Sequence, residues 1–427
     1  MTALLFLAFF GLMMLGAPIA ASIGLALILT SAAGGGFSQA YIGRSAILAL
    51  DSFPILAIPM FIFAGEIMGQ GGISKRLFNF ANACLGGISG GVAIATVFTC
   101  MLFGAISGSG PATFAAVGAL MIPLMAKQGY DKAFVTGLTA ASGGLGVLIP
   151  PSLPMVMYGI TASVSIGSMF LAGVIPGLIS GLALMIYSYL HCKKNPPKLT
   201  EESENRMGIL ASVKDGFWAL LAPVIILGGI YLGLVTPTEA AAVSVVYGAF
   251  VGLFIYKTLE LKQLPRLLFR AAATNAPILL VVSLATVFGK ILSMLKIPAS
   301  IAMTVMGISD NPIMILLLIN ILLLFAGMLM ETLAAIIILT PMLLPIATAI
   351  GVDPIHFGVI MVANLAIGFV TPPIGVSLYT AASITKLPFS DIARAAVGPI
   401  LALLAALAVI TVFPALSTWL PSLIVRN

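Results

Sequence analysis

Apolar positions along this chain run in long uncharged blocks: residues 313–330 and 401–412 contain no charged side chain at all. Such blocks are expected where the solvent is hydrocarbon, since a backbone inside a bilayer must satisfy its own hydrogen bonds as helix. Two polar stretches divide the blocks. Residues 191–214 hold Lys193, Lys194, Lys198, Arg206 and Lys214 with Asn195-Pro196-Pro197, Glu201, Glu202 and Glu204. This segment suits water and is expected in the cytoplasm. Residues 257–270 add Lys257, Lys262, Arg266 and Arg270 between Leu261, Leu264, Leu267 and Leu268, the pattern of an amphipathic helix on the inner membrane surface. Between the two, residues 217–235 and 240–256 cross out and back, turning at Thr236-Pro237-Thr238-Glu239.

Composition sharpens this into one integral membrane bundle. Of 427 residues, 61% are hydrophobic and 7% charged, with mean hydropathy +1.20, whereas a soluble domain carries about 25% charged residues. At roughly 20 residues per span the chain has room for well over a dozen segments. The net charge of +6 resides in connecting segments, a positive-inside signal rather than a nucleic-acid surface. Residues 1–31 lack a basic start and are too long for a signal core, so they are expected to form an uncleaved first span. Cys84, Cys100 and Cys192 read as inert packing thiols. The expected divisions are 1–52, an N-terminal span and surface helix; 53–190, repeat one; 191–214, a linker; 215–270, a scaffold pair with the surface helix; and 271–427, repeat two.

The repeats emerge from an ungapped self-match of residues 102–151 with 324–373. Paired positions include Phe103/Phe325, Pro123/Pro345, Gly129/Gly351, Asp131/Asp353, Gly146/Gly368, Pro150/Pro372 and Pro151/Pro373. Leu and Ala matches are cheap in this composition; matched Gly, Asp and a Pro-Pro pair are not. Lys127 and Lys132 place the loop at Gly129-Tyr130-Asp131 inside, whereas the loop at Gly351-Val352-Asp353 has no nearby cation and its following helix ends near Lys386 and Arg394. The repeats are therefore expected to be inverted, the arrangement of transporters that alternate access.

Each repeat carries the same two irregularities. Before the Gly-x-Asp loop, about 40 apolar residues are interrupted at Ser107-Gly108-Ser109-Gly110-Pro111 and at Gly327-Met328-Leu329-Met330-Glu331-Thr332. Two full spans there would break the charge sidedness; a re-entrant hairpin preserves it. After the loop comes a helix broken by Gly-x-x-x-Pro-Pro, at 146–151 and 368–373. Proline removes an amide donor and displaces its predecessor from helical geometry, so the freed carbonyls need a cation, a polar partner or water. Helix N-termini meanwhile offer amides to a carboxylate. The first candidate cation site is Ser107, Ser109, Gly110, Gly146, Ile149 and Pro150; the second is Gly327, Glu331, Thr332, Gly368, Thr371 and Pro372. The bland alternative, small residues that merely permit close helix packing, explains one break more easily than four in register. Glu331 stands out as an acid within an apolar hairpin, and such acids usually mark ion paths. Glu66 is a weaker case, equally suited to a helix contact, and Glu239 suits a helix cap. His191 and His356 lack ligand-spaced partners, and no Walker motif is present, so neither metal catalysis nor ATP hydrolysis is expected.

The stretches SGSGPATFAAVGALMIPLMAKQGYDKAF and GGLGVLIPPSLPMVMYG, with PMFIFAG, TPTEAAA, TPMLLP and TPPIG elsewhere, resemble the large membrane subunit of a TRAP (tripartite ATP-independent periplasmic) transporter over nearly the whole chain. That resemblance implies an all-α, multi-pass, elevator-type symporter of a bacterial inner membrane. It would be driven by sodium, with no transition metal or organic cofactor, and would carry small organic carboxylates such as C4-dicarboxylates, sialic acid or other sugar and keto acids. The implied partners are a small four-helix membrane subunit, a soluble periplasmic binding protein and membrane lipid, with no nucleic acid. Candidate substrate contacts are Ser109, Pro151, Thr332, Pro373 and Ser377. This chain departs from the family in carrying Glu331 where Asp is common and Ser377 where Asn is frequent. A passive channel is the rival reading; it predicts a continuous polar lining. A membrane enzyme lacks a catalytic constellation, and a purely structural subunit leaves the duplicated breaks unexplained.

Overall fold

The computed structural model describes residues 1–197, 207–298, 300, 303 and 311–424, and every regular element among them is helical. The chain opens with α1 (Thr2–Met14), α2 (Ile19–Ala32), α3 (Gln39–Leu50), α4 (Ala57–Gln70) and α5 (Ile73–Leu85). Repeat one continues with the hairpin α6 (Gly91–Ser107) and α7 (Gly110–Lys127), then α8 (Lys132–Gly143), α9 (Leu145–Leu148), α10 (Leu153–Ala162) and α11 (Ile166–Lys194). The central helices are α12 (Ile209–Tyr231), α13 (Pro237–Phe250) and α14 (Leu264–Met294). Repeat two comprises the hairpin α15 (Pro312–Leu329) and α16 (Thr332–Ala349), then α17 (Pro354–Gly368), α18 (Val376–Thr385), α19 (Phe389–Val412) and α20 (Ala415–Ile424).

Helix α15 shows why the solvent must be lipid. Ile315, Ile319 and Leu323 are buried, while Leu317, Ile321 and Phe325 are exposed on the opposite side. A helix apolar all round, half of it uncovered, is stable only in hydrocarbon. Nine helices among the described residues are long and apolar enough to span, and the pair 132–148 and 153–162, bent by 41°, makes a tenth. The nine include the hairpin helices at 110–127, 312–329 and 332–349, while 2–14, 19–32, 91–107, 354–368 and 415–424 are apolar but shorter.

Two expectations are corrected. Residues 1–31 are not one span: Gly16, with φ +84°, and Pro18 stop α1, and α2 packs back against it. Neither helix reaches the roughly 20 residues a crossing needs. Residues 257–270 are not a separate surface helix either. After a turn at Lys257 and a short 3-10 turn at Leu261–Gln263, residues 264–270 form the first turns of the 31-residue α14. Leu267 is buried with Leu259 against Ile67 of α4, which draws the stretch into the bundle. The linker is described as far as Pro197 and again from Met207; Lys198, Glu201, Glu202, Glu204 and Arg206 lie outside the described residues. Glu239 does cap: with Thr236 it closes a capping box at the start of α13.

The inversion is visible in two reciprocal contacts. Lys132 Nζ, at the loop of hairpin one, donates to Thr385 O at the end of α18 (2.9 Å). Tyr158 Oη, in α10, donates to Pro354 O at the loop of hairpin two (2.6 Å). Lys132 and Pro354 are equivalent positions of the two repeats. The broken helix α8–α10 thus leaves one hairpin's loop and arrives at the other's, so the loops sit at opposite ends of the bundle. Lys386 and Arg394 share the end occupied by Lys132, as the positive-inside rule requires. Away from the repeats, Arg76 of α5 pairs with Asp215 of α12 (3.4 Å) and lies over the Tyr256 ring (3.6 Å), which ties the central helices to the N-terminal ones.

Candidate functional site

Tip one is two residues long because glycine and serine close it. Gly108 takes the left-handed conformation (φ +62°) that ends α6, and Ser109 stands at the N-cap of α7. Ser107 Oγ lies 2.7 Å from Thr113 Oγ1, and the tip is pinned to the broken helix by Leu153 N donating to Gly108 O (3.1 Å). Helix α6 meets α9 where a Cβ on Gly104 would stand 2.7 Å from Gly146 Cα, and one on Gly146 would stand 2.9 Å from Ser109 O. The break itself spans Ile149–Ser152. One freed carbonyl, Val147 O, is taken by the Ser152 hydroxyl, which also caps α10.

Tip two is closed by a carboxylate. Glu331 Oε2 accepts from Leu333 N (2.9 Å) and Ala334 N (3.2 Å), placing its charge on the positive end of α16. The second break, from Phe369 to Gly375, is longer than the first, and Thr371 Oγ1 donates back to Ile367 O (2.7 Å). Ser152 has no counterpart here, because Ile374 occupies the equivalent position. Ser377 is fully buried and its hydroxyl has no hydrogen-bond partner.

The two tips converge. One cavity of about 250 Å³ is lined by Gly108, Ser109, Pro111 and Ala112 from tip one, by Glu331, Thr332 and Leu333 from tip two, and by Phe369 of the second break. Phe369 also touches tip one, since a Cβ on Gly110 would stand 3.1 Å from its ring. The remaining wall is Val147, Leu153 and Pro154 flanking the first break, Val376 after the second, Ile62 and Glu66 of α4, and Thr274 and Ile278 of α14. Its charged groups are two carboxylates, Glu66 and Glu331, with no basic side chain in the lining. Oxygen-rich and acidic, the cavity suits a hard cation better than a bare anion.

Of the first candidate cation set, Ser107, Ser109, Gly110 and Gly146 cluster; the Ile149 side chain instead packs beneath Gly177 of α11, and Pro150 is buried. Of the second, Gly327 and Gly368 are in backbone contact (Gly327 Cβ would stand 3.3 Å from Gly368 Cα) and Glu331 and Thr332 line the cavity, while Thr371 and Pro372 stand outside it. Among candidate substrate contacts, Ser109 and Thr332 line the cavity; Pro151, Pro373 and Ser377 do not. Thr113, Ser152, Thr274 and Phe369 escape sequence reading. Thr113 could have been found one helical turn from the tip, and Ser152 directly after the Pro-Pro pair in the break; Thr274 and Phe369 reach the cavity through long-range packing.

A family model described as the tripartite ATP-independent periplasmic transporter, DctM component, matches residues 6–416. The isethionate TRAP transporter permease protein DctMQ of Oleidesulfovibrio alaskensis is 48% identical over 95% of this chain, which spans 64% of that protein's length. The C4-dicarboxylate TRAP transporter large permease protein DctM of Pseudomonas aeruginosa is 45% identical over 87% of each chain. The sialic acid TRAP transporter large permease protein SiaM of Vibrio cholerae is 42% identical over 97% of this chain and 96% of its own. In fold, the chain resembles the YdaH transporter of Alcanivorax borkumensis (TM-score 0.66, 13% identity, 87% of each chain).

Proposed function

This chain belongs to the family of DctM components of tripartite ATP-independent periplasmic transporters, and on that premise we propose that it moves a small organic anion together with sodium ions. It is a multi-pass protein of the bacterial inner membrane. The observation that carries the coupling is the convergence of both hairpin tips on one cavity lined by the hydroxyl residues Ser109, Thr274 and Thr332 and the acidic residues Glu66 and Glu331, with no basic side chain in its lining. Unpaired carboxylates in a low-dielectric site are costly. A bound sodium ion at each tip offsets that cost and makes the site hospitable to an anion, so the cation enters first. Ser107, Ser109, Gly110 and Gly146 would hold one ion; Glu331, Thr332, Gly327 and Gly368 the other. The substrate would sit against Ser109 and Thr332. Ser377, next to the lining residue Val376, is a buried hydroxyl without a partner among the described residues.

The named relatives handle isethionate, C4-dicarboxylates and sialic acid, so the shared substrate chemistry is a compact organic acid. A relative named DctMQ in which this chain matches 64% of the length supports a second, smaller membrane component working beside it. A soluble binding protein would deliver the anion. The inverted repeats would let the hairpin-bearing unit shift against the central helices in an elevator motion. A passive pore fits less well, because the polar groups gather at two symmetric tips rather than along a continuous lining.

Uptake into proteoliposomes holding the chain with its membrane partner and binding protein tests this reading. Organic-acid uptake should require an inward sodium gradient; equal uptake with potassium in its place, at matched membrane potential, rules sodium coupling out.

A further inference from the structure

A second cavity, of about 620 Å³, lies further along α16 from the first, and its electrostatics are opposite. Its wall draws Tyr41 and Ala49 from α3, Thr161 from α10, Ile337 and Pro341 from α16, and Thr286, Lys290 and Ser293 from α14. Five hydroxyls face it (Tyr41, Ser52, Thr161, Thr286 and Ser293), and the one charged lining group is the ammonium of Lys290. No acidic side chain lines it, and among the described residues Lys290 has no ion pair. A lysine within an apolar span is costly unless it faces water or an anion. This one sits four residues before the end of α14, whose other end carries Arg266 and Arg270. At 1.5 Å per residue those arginines lie about 30–36 Å away, so Lys290 occupies the outer half of the bundle and the arginines the inner rim.

Both cavities border α14. Thr274 and Ile278 line the acidic cavity between the tips; Thr286, Lys290 and Ser293 line the basic one, with Thr274 and Ser293 about 28 Å apart along the axis. An incoming organic anion therefore meets a positive, hydroxyl-rich chamber before it meets the acidic cavity between the tips. We infer that this outer chamber is an anion-gathering vestibule in which Lys290 draws a carboxylate or sulfonate group from the external face and holds it beside α16, ahead of the tip site. The inference rests on the transport reading above and assigns Lys290 a role separate from the sodium-binding oxygens: it sets anion affinity, not sodium affinity.

The test uses the full chain in right-side-out membrane vesicles, with Cys84, Cys100 and Cys192 replaced and a single cysteine introduced by Ser293→Cys. Impermeant methanethiosulfonates carrying a sulfonate or a trimethylammonium group are applied from outside. The sulfonate reagent should react preferentially, and Lys290→Gln should lower the ratio of the two rates about five- to tenfold, since one charge at cavity distances acts oppositely on the two reagents. Lys290→Arg should keep the ratio. In uptake assays Lys290→Gln should raise the half-saturating anion concentration on the order of tenfold while leaving the half-saturating sodium concentration unchanged. An unlabelled Ser293→Cys, or a rate ratio indifferent to Lys290→Gln, overturns the vestibule. The labelling needs no transport, so absent sodium-driven uptake with the charge-dependent ratio intact would overturn the proposed function and leave the vestibule standing.

Discussion

Glu331 serves two ends with one side chain: one carboxylate oxygen caps two amides of α16, and the group faces the cavity between the tips. Glu331→Ala should cost about 0.5–2 kcal/mol through the lost cap and should weaken sodium activation of uptake. Glu331→Asp, which keeps an acceptor at a favourable N-cap, should retain both, as read by thermal unfolding and by uptake against sodium concentration. Ser109→Ala and Thr332→Ala each remove one oxygen from a tip. A neutral hydrogen bond is worth about 0.5–1.5 kcal/mol, so both variants should fold normally and need more sodium for half-maximal uptake. Unchanged sodium activation in both would reduce the tips to packing elements.

At the scale of helices, the breaks work because paired glycines let backbones touch. A Cβ on Gly104 would stand 2.7 Å from Gly146 Cα, where the obstacle is main chain that cannot swing aside. Gly104→Ala should therefore destabilise by about 1–3 kcal/mol and slow uptake, whereas Gly43→Ala in α3, with nothing within 4 Å, should leave the melting temperature unchanged. The two breaks are also unequal. Ser152 stitches the first by bonding Val147 O; the second has Ile374 in that position and an unpartnered Ser377.

For the whole molecule, the proposed alternating access depends on the loops of the two hairpins facing opposite compartments. Lys132 bonded to Thr385 and Tyr158 bonded to Pro354 place them at opposite ends of the bundle. Cysteines introduced at Gly129 and Gly351, in a background lacking Cys84, Cys100 and Cys192, should label with an impermeant reagent from opposite faces. Reaction of both from the same face would make the repeats parallel and remove the basis for the elevator motion. Tyr158→Phe, which deletes one of the two cross-repeat bonds, should lower stability by about 0.5–1.5 kcal/mol, measured by thermal unfolding in detergent.

The membrane environment, the duplication, the hairpins at Ser107–Gly110 and Glu331–Thr332 and the Pro-Pro breaks were all determined by sequence. Each follows from a local rule: too few charges to coat a surface, too few amides to continue a helix, and too little chance for Gly, Asp and Pro to match in one register. Local rules also mislead where packing decides. The apolar run 1–31 folds back at Gly16 and Pro18, and residues 264–270 join α14 because Leu267 finds Leu259 and Ile67 rather than a lipid surface. Nothing local brings Phe369 onto Gly110, or Glu66 and Thr274 into one wall with Glu331, since their partners lie tens to hundreds of residues away. Tertiary structure alone decided that the two tips share one cavity with Glu66 and that Lys290, one lysine among many in the sequence, faces another. The physical reason is that the charge of a cavity depends on which helix faces meet across it, and that meeting is set by the summed packing of the bundle rather than by any segment's own composition.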